Sequence, residues 1–262
     1  MRFGGAPMRD PHRCFIVRQV IPEGHAGATL VLDGALEAEP GQFVMVWLPG
    51  VEERTFAVVC ERPLMLSVQV VGPFTRALAS LAEGDRLWVR GPYGRGFALR
   101  GQRHLLIGGG SGIASLALLA ERALGRGDAV RVALGARTAE AFLLVGHLKA
   151  LGCELLLATE DGSAGAKGTV IEAVRPILAS GWPEQVYACG PRPMLRAAIR
   201  EVKRYGLACQ VSLEEVIKCG LGVCGHCHCG EWLICRDGPV FEADRVAAWL
   251  EAQEAETPLE RG

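Results

Sequence analysis

Half of the ten cysteines in this 262-residue chain crowd into one short stretch near its end. Four of them follow the pattern C-x4-C-x2-C-x7-C, and these are Cys219, Cys224, Cys227 and Cys235. The first three have the spacing with which one loop can hold a [2Fe–2S] cluster, while a fourth cysteine arrives from farther along the chain. We therefore predict that these four thiolates bind two irons.

The glycines between the cysteines suit that chemistry. Four thiolates must converge on two irons, so the backbone has to wrap tightly around the cluster. Gly220, Gly222 and Gly225 have no Cβ, which permits left-handed turns. They also allow backbone N–H groups to approach the sulfides, and such hydrogen bonds tune the reduction potential of a cluster.

A zinc site is the alternative interpretation of this stretch, because His226 and His228 lie among the cysteines. Structural zinc sites usually pair two short chelating turns that a longer loop separates. Here three candidate ligands share one glycine-rich loop, which favours the iron–sulfur cluster, and we expect both histidines on the loop surface. Cys229 could replace Cys227 as a ligand, although the C-x4-C-x2-C frame favours Cys227.

A second candidate site is the glycine-rich stretch 108–112. It follows an apolar run and precedes a helical pattern, which is the context of a phosphate-binding loop. The predicted ligand contacts are Gly108, Gly110 and Gly112. The stretch departs from the usual dinucleotide fingerprint, because Ile113 stands three residues after Gly110. A tight turn without a ligand therefore remains an alternative.

Cys189 and Gly190 end a later apolar run, at the carboxyl edge where open α/β sheets bind ligands. We predict that both contact the nucleotide. A cysteine in this setting is by itself more often a small core residue, so that interpretation of Cys189 also stays open.

The elements that must position these residues are of two kinds. Up to about residue 98, the chain has short apolar runs separated by turn-forming groups such as Pro40-Gly41 and Pro49-Gly50. The runs are 43–47, 55–59, 64–71 and 87–89. Several short strands at this spacing predict a small antiparallel β-barrel or sandwich, and we expect the barrel.

From residue 104 onward, strands and helices alternate. We predict strands at 105–107, 130–134, 155–157 and 185–188, and helices at 113–124, 141–151 and 193–205. This alternation predicts a doubly wound parallel α/β sheet. After Gln210 the chain is rich in cysteine and glycine, and it ends in a polar tail from about Ala252. The predicted domains are therefore residues 1–98, 99–206 and 207–262.

The composition excludes several classes of protein. Hydrophobic residues make up 50% of the chain and charged residues 22%, which is typical of a packed globular protein. The 28 basic residues nearly balance the 29 acidic ones, so no basic field is present to attract nucleic acid. No apolar run approaches the roughly 20 residues that a membrane-spanning helix needs. Residues 1–5 lack the apolar region of a secretory signal, and we expect a cytoplasmic protein.

Together these motifs resemble the ferredoxin-reductase superfamily. The resemblance rests on the glycine stretch 108–112, on Cys189-Gly190-Pro191 with Met194, and on 90–97, which matches the link between flavin barrel and nucleotide domain. Further motifs narrow it to the electron-transfer subunits of NAD-linked dihydroorotate dehydrogenases, and these are 159–163, 167–168, 212–215, 219–227 and 235–241. The match covers about residues 10 to 245, and its cysteine-rich end is the most specific part.

The resemblance implies an N-terminal barrel that holds FAD, a central domain that binds NAD(H) and a small C-terminal [2Fe–2S] domain. Its flavin-contact positions correspond to Arg54, Thr55, Phe56, Ala57, Ser67, Val68, Gln69, Phe74 and Thr75. Arg54 retains the guanidinium that binds the FAD pyrophosphate. Thr55, Ala57 and Gln69 replace the family's Pro, Ser and Arg, which removes one hydroxyl contact to the flavin. Ser115 stands where the superfamily often has Pro.

The function implied by the resemblance is an electron relay between nicotinamide, FAD, the cluster and a partner chain. The cofactors carry this chemistry, so we expect no catalytic acid or base from the protein. The expected partner is an FMN-containing catalytic subunit, that of dihydroorotate dehydrogenase in pyrimidine biosynthesis, in a hetero-oligomer.

Three other functions stay open. The short spacing before Cys235 also resembles electron-transfer subunits of sulfhydrogenases and anaerobic sulfite reductases. A self-sufficient NADH reductase would serve soluble acceptors such as ferredoxin or quinone without a partner subunit. A redox-sensing or zinc-containing binding module would lack catalysis altogether.

Overall fold

The structure of the chain is a computed structural model that describes residues 12–24 and 27–255. The stretch 1–5, in which the sequence shows no secretory signal, and the end of the predicted polar tail lie outside these residues.

Seven strands in the described part of the chain form an antiparallel sheet. They are β1 (Arg13–Glu23), β2 (Gly27–Leu32), β3 (Phe43–Leu48), β4 (Glu52–Ala57), β5 (Cys60–Glu61), β6 (Leu64–Gln69) and β7 (Arg86–Tyr93). Their order across the sheet is β4-β3-β7-β1-β2-β6-β5. A short helix, α1 (Pro73–Ala79), follows β6.

This sheet curls into a barrel, because the segment after β4 reaches β6 on the other side. The N–H of Val59 donates to the carbonyl oxygen of Met65 over 3.0 Å. Side chains alternate between the two faces of a strand, and the inward set, which includes the fully buried Val17, Leu30 and Val46, forms the barrel core. On the outer face of β3 and β7, Phe43, Met45 and Tyr93 pack against the C-terminal segment instead.

A second, parallel sheet begins with β8 (Arg103–Gly109), β9 (Ala129–Ala136), β10 (Glu154–Thr159) and β11 (Ala166–Lys167). It continues with β12 (Gln185–Cys189) and β13 (Ala208–Ser212). The strand order is β11-β10-β9-β8-β12-β13, so the direction in which strands are added reverses between β8 and β12. Such a switch point is where open α/β sheets bind ligands.

Helices cover both faces of the parallel sheet. They are α2 (Ile113–Gly125), α3 (Val145–Ala150), α4 (Val170–Ala179) and α5 (Arg192–Arg204), with 3-10 turns at Gly110–Gly112 and Ala139–Ala141. Leu106 of β8 points to the face that α2 and α3 cover. Its neighbours Leu105 and Ile107 point to the opposite face, under α4 and α5. Because side chains alternate along a strand, β8 contributes to a hydrophobic core on each face of the sheet.

The C-terminal segment is attached to this same sheet. It contains a hairpin of β14 (His228–Cys229) and β15 (Trp232–Leu233), then α6 (Ile234–Asp237), β16 (Val240–Glu242) and α7 (Ala243–Ala255). β16 pairs antiparallel with β13, and Val246 and Leu250 of α7 join the core under α5. We propose the division into 1–98, 99–206 and 207–262 as the domain organisation, with β13 and β16 joining the third part to the sheet of the second.

The predicted architecture of barrel, doubly wound sheet and C-terminal segment is confirmed, but some elements differ. The helix predicted from residue 141 begins only at Val145, because Leu144 takes a left-handed conformation with φ of 60°. The residues from Ala252 to Ala255 are helical rather than part of a tail. Four helices, α1, α4, α6 and α7, have no counterpart in the predictions. None of the helices in the described ranges is long and apolar enough to span a membrane.

The substitution Gly112→Ala tests whether the glycine stretch is required for packing. A Cβ at residue 112 would lie 2.4 Å from the carbonyl oxygen of Cys189, and backbone atoms cannot move aside as a flexible side chain can. We expect the variant to lose about 1–3 kcal/mol of the free energy of unfolding, as overpacked core positions do. Urea unfolding followed by circular dichroism measures this loss.

Gly146→Ala is the matched control. Gly146 lies in α3, and an added Cβ there meets nothing within 4 Å. Alanine favours a helix over glycine by roughly 0.5–1 kcal/mol, so this variant should be as stable as the wild type or more so. Equal stability of the two variants would contradict the packing argument.

Candidate functional site

A cavity of about 550 Å³ lies where the three parts of the chain meet. The barrel contributes residues 54–57, Ser67, Gln69 and residues 71–75 to its wall. The start of α2 contributes Ser115, and the C-terminal segment contributes residues 212–215 and Ile217. Cavities of this size hold drug-sized ligands and cofactors.

Every predicted flavin position except Val68 lines this cavity. Residues 54–57 form the end of β4, Ser67 and Gln69 alternate on β6, and residues 74–75 begin α1. Because Val68 lies between Ser67 and Gln69, its side chain points the other way and is fully buried in the barrel core. A contact from Val68 to a cofactor therefore has to come from its backbone.

The polar groups on the wall fit a dinucleotide such as FAD. Arg54 is half-exposed and pairs with Glu52 at 2.7 Å, which leaves guanidinium donors for a phosphate. The Ser67 hydroxyl is buried and has no hydrogen-bond partner among the described residues. Leaving a buried polar group unpaired is costly, so a ligand that bonds this hydroxyl is favoured.

The glycine stretch and the Cys189-Gly190 turn pack directly against each other at the switch point. A Cβ on Gly109 would lie 2.5 Å from the sulfur of Met194, and one on Gly190 would lie 3.0 Å from the Cα of Gly109. Larger residues would force these turns apart. The two turns that the sequence predicts to bind the nucleotide are thus brought together.

The glycines themselves do not line the cavity. Gly108 lies within β8, and Gly112 directly precedes α2. Gly110 has a left-handed backbone conformation with φ of 54°. Ser111 lies between them and does line the cavity. Contacts from these glycines to NAD(H) remain a prediction, and close packing accounts for Gly112 independently of a ligand.

Cys189 is fully buried at the end of β12. Burial raises the pKa of its thiol far above the ordinary value, and the nearby Glu214 carboxylate acts in the same direction. The hydroxyls of Ser115 and Ser212 oppose this shift without reversing it. The thiol therefore stays protonated and packs as a small core group behind the cavity, and its predicted contact with the nucleotide remains a prediction.

Glu214 is a candidate site residue to which the sequence analysis assigns no role. It is the second residue after the end of β13 and lines the cavity. Its side chain is exposed where it lines the cavity. Protein packed near the carboxyl desolvates it and raises its pKa, and a hydrogen bond with Ser111 opposes the shift. An acidic residue two positions after a parallel strand is the signal that could have identified it.

The four predicted cluster ligands converge in one loop. The side chains of Cys219 and Cys224 interact with each other, as do those of Cys227 and Cys235. Burial raises the pKa of Cys235 to about 12, and the nearby Cys227 and Cys219 act in the same direction. Cys224 is exposed whereas Cys227 and Cys235 are buried, so one side of the loop faces solvent.

Backbone N–H groups point at these sulfurs, and such bonds help to set the reduction potential of an iron–sulfur cluster. The N–H of Leu221 donates to Sγ of Cys219 at 3.4 Å, and that of Gly222 donates to Sγ of Cys235 at 3.2 Å. Burial alone would raise the pKa of Cys219, but N–H donors of the turn 221–224 lower it to about 6. This thiol is therefore prepared to bind metal as a thiolate.

The loop takes the left-handed turns that its glycines predict. The φ angles are 72° at Gly220, 73° at Gly222 and 71° at Gly225, where a side chain would be strained. Within the described residues, no three His, Cys, Asp or Glu side chains are arranged to hold a single metal ion. The fit to a [2Fe–2S] cluster therefore rests on the four-thiol donor set and the N–H···S bonds.

Cys229 belongs to neither of the two interacting thiol pairs of the predicted ligands. It is fully buried in β14, and burial raises the pKa of its thiol to about 12. The charged groups that act on it are Glu215 and Arg192 rather than other thiols. His226 and His228 are exposed, as expected. This arrangement supports Cys227 rather than Cys229 as the third ligand.

Two family models match the chain. One describes the iron–sulfur cluster binding domain of dihydroorotate dehydrogenase B and matches residues 214–247. The other describes an oxidoreductase NAD-binding domain and matches residues 106–200. The two matches fall on the cysteine loop and on the parallel sheet.

Two similar curated proteins carry the name probable dihydroorotate dehydrogenase B (NAD(+)), electron transfer subunit. The protein from Thermococcus kodakarensis is 44% identical over 217 residues, which cover 82% of this chain and 89% of the relative. The protein from Methanocaldococcus jannaschii is 36% identical over 241 residues, which cover 91% and 92%.

Solved structures share the fold, one of them over nearly the whole chain. The structure of an NADH-dependent reduced ferredoxin–NADP oxidoreductase, described for flavin-based electron bifurcation, matches with a TM-score of 0.78 at 28% identity. It covers 97% of this chain and 96% of the other. Phthalate dioxygenase reductase shares the fold, with a TM-score of 0.61 at 18% identity, over 76% and 66% of the two chains. These findings confirm the resemblance, the fold and the set of cofactors.

Serine substitutions test which thiols hold the cluster. We expect anaerobically purified wild type to contain about two irons and two acid-labile sulfides per chain. The variants Cys219→Ser, Cys224→Ser, Cys227→Ser and Cys235→Ser should each lose or badly distort the cluster, because each removes a thiolate ligand. Iron and sulfide analysis with electron paramagnetic resonance (EPR) of the reduced protein measures this.

Cys229→Ser is the control for these variants, since it removes a cysteine of the same segment that is as buried as Cys227 and Cys235, and it should retain the cluster. Retention in Cys227→Ser together with loss in Cys229→Ser would show that the ligand is the other member of the pair. One tightly bound zinc without labile sulfide would establish the zinc alternative.

Arg54→Ala tests the flavin site. Removing a charge-assisted bond to a phosphate costs about 1.5–3 kcal/mol, so we expect the affinity for FAD to fall roughly 10- to 100-fold. Fluorescence titration of flavin-depleted protein with FAD gives the dissociation constant. Arg18→Ala is the control, because Arg18 is an exposed barrel arginine that lies 3.9 Å from Asp33, outside the cavity wall. Equal affinity in both variants would mean that another residue binds the pyrophosphate.

Proposed function

The chain belongs to the family of dihydroorotate dehydrogenase B electron transfer subunits, and from this membership we propose that it relays electrons between NAD(H) and a separate dihydroorotate dehydrogenase subunit. The relay uses FAD in the three-walled cavity and one [2Fe–2S] cluster in the cysteine loop. For dihydroorotate oxidation, electrons flow from the partner through this chain to NAD+.

The observation that carries this proposal is the closeness of the two sites. Ile217 lines the cavity, and Cys219, the first cluster ligand, follows after a single intervening residue. Electron transfer between two centres requires a short distance, and this junction supplies it. A site that only bound a nucleotide would not need the cysteine loop at its wall.

When bound, FAD supplies the conversion between two-electron exchange with nicotinamide and one-electron exchange with the cluster. The residues of the chain would bind the flavin and shield it from water. Arg54 would hold the pyrophosphate, and the unpaired hydroxyl of Ser67 would give the flavin a hydrogen bond. Leu213 and Ile217 line the cavity from the C-terminal segment with apolar side chains, which would shield a bound flavin from water on that side. No residue is required to act as a catalytic acid or base.

The substrate site lies on the partner in this proposal. The barrel, the parallel sheet and the cysteine segment account for the described residues, and none of the three resembles a domain that oxidises dihydroorotate. We propose an FMN-containing catalytic subunit and a hetero-oligomer. A cytoplasmic location suits a cluster of four unpaired cysteines, because reducing compartments keep thiols free.

A second candidate is the same relay serving a different partner. The match to the NADH-dependent reduced ferredoxin–NADP oxidoreductase extends over nearly the whole of both chains. The seven-residue spacing before Cys235 likewise resembles subunits of sulfhydrogenases and anaerobic sulfite reductases. The named relatives at 36% and 44% identity favour dihydroorotate.

Reconstitution tests the partner. Mixing this chain with its cognate dihydroorotate-oxidising FMN subunit should produce dihydroorotate-dependent NAD+ reduction that neither chain shows alone. Absorbance of NADH at 340 nm follows the reaction. The Cys224→Ser variant is the control, because it removes an exposed cluster ligand and should still bind FAD without supporting turnover.

The proposal fails if the cognate subunits form no complex. Co-purification of a hydrogenase, sulfite reductase or ferredoxin–NADP oxidoreductase subunit with the tagged chain would then establish the second candidate. High turnover of the isolated chain with ferredoxin or quinone would instead show a self-sufficient NADH reductase.

A further inference from the structure

Arg90 lies on β7, on the outer face of the barrel that the cysteine loop covers. Its side chain is only 9% exposed, and arginine is rarely buried to that extent without a partner. Strand β3 separates β7 from β4 in the sheet. The guanidinium reaches across β3 to Glu53 on β4.

Glu53 holds this guanidinium through two short bonds. Nε and Nη2 of Arg90 donate to the two carboxylate oxygens, each at 2.7 Å. A bidentate pair fixes the orientation of the guanidinium plane as well as its position. The carboxylate is held in turn, since Nε2 of His12 lies 3.1 Å from its Oε1.

The third guanidinium nitrogen points at the cysteine loop. Nη1 donates to the carbonyl oxygen of Cys219 at 2.8 Å and lies 3.3 Å from the hydroxyl of Tyr93. The next residue, Gly220, is so close to the barrel that a Cβ would lie 3.3 Å from Tyr93 and 3.4 Å from Met45. The first cluster ligand is therefore held against the barrel at its peptide carbonyl and at the residue that follows it.

We propose that Arg90 is a positioning residue for the [2Fe–2S] cluster. It fixes the Cys219 end of the loop against the barrel, and it holds a positive charge beside the first ligand that favours the reduced state of the cluster. This inference rests on the proposed function in one respect, namely that the four thiols hold such a cluster. The guanidinium lies between Glu53 and Cys219, so its positive charge is nearer to the loop than the carboxylate is.

Stability alone does not explain this arrangement. A buried ion pair gains little net free energy, because desolvation offsets the attraction, and apolar residues of similar volume would fill the same space. What apolar residues cannot provide is a charged donor on the carbonyl of a ligand-bearing residue. Reduction adds one negative charge to a cluster, so a nearby positive charge stabilises the reduced form.

The test compares three variants of the full chain with its cofactors bound, namely Arg90→Met, Arg90→Lys and Glu53→Gln. A redox titration followed by EPR gives the ratio of reduced to oxidised cluster at the wild-type midpoint. We expect this ratio to fall roughly tenfold in Arg90→Met and to rise severalfold in Glu53→Gln, since the two variants remove charges of opposite sign. Arg90→Lys keeps the charge and should stay near the wild-type ratio.

The opposite signs separate electrostatics from packing. Arg90→Met and Glu53→Gln break the same bidentate pair, so a merely structural role would move the ratio in one direction in both. Arg62→Met is the matched control, because it removes an exposed barrel arginine that pairs with Glu37 at 2.9 Å. It should leave the ratio unchanged.

Limited trypsin digestion tests the positional half of the proposal. Lys218 is exposed and directly precedes Cys219, so cleavage after it reports how firmly this end of the loop is held. Cleavage should be severalfold faster in Arg90→Met and in Arg90→Lys, because neither side chain can bridge Glu53 and the Cys219 carbonyl with a planar fork. Arg62→Met should be cut at the wild-type rate.

Three results would overturn the proposal. These are an unchanged ratio in Arg90→Met, shifts of the same sign in Arg90→Met and Glu53→Gln, and cleavage at the wild-type rate in both Arg90 variants. If Arg90→Met does not fold, the sign in Glu53→Gln and the cleavage of Arg90→Lys decide the matter. Wild-type protein without acid-labile sulfide would instead overturn the cluster assignment, and this proposal with it.

Discussion

The loop that carries the four thiols begins at the end of β13 and ends at β16, which pairs with β13. The site depends on this closure of the loop. Leu213 follows β13 directly, and β16 comes back after the loop to pair antiparallel with β13. The N–H of Leu213 donates to the carbonyl oxygen of Pro239 at 2.9 Å, which joins the two ends at their base. Because β13 belongs to the parallel sheet, the cysteine loop must emerge at the ligand-binding edge of that sheet.

This closure explains why the cavity has walls from three parts of the chain. Leu213, Glu214, Glu215 and Ile217, between β13 and Cys219, line it from one side, and the barrel strands line it from the other. The N–H of Arg95, in the link after the barrel, donates to the carbonyl oxygen of Gly238 at 2.6 Å, so the link is tied to the same base. A ligand that contacts all three walls binds only their assembled arrangement, and it therefore stabilises that arrangement.

Sequence patterns predicted the features whose causes are local. The cysteine spacing, the left-handed glycines between the cysteines and the strand–glycine–helix order at 103–125 each depend on neighbouring residues, and each was predicted. Helix α4 was missed although Thr169 and Glu172 form a capping box at its start, because Pro176 argues against a helix there. Pro176 lies late in this helix and removes only one backbone donor.

Features that depend on residues distant in sequence could not be predicted in this way. The family resemblance names Ser67, Val68 and Gln69 as consecutive flavin positions, but the alternation of β6 allows only the outer two side chains to face the cavity. Arg90 contacts a carbonyl 129 residues away, and an arginine in a barrel strand would ordinarily be expected to face solvent. Its burial follows only from where the closure at β13 and β16 places the cysteine loop. The motifs thus identify the chemistry, and strand register and closure decide which of their residues can take part in it.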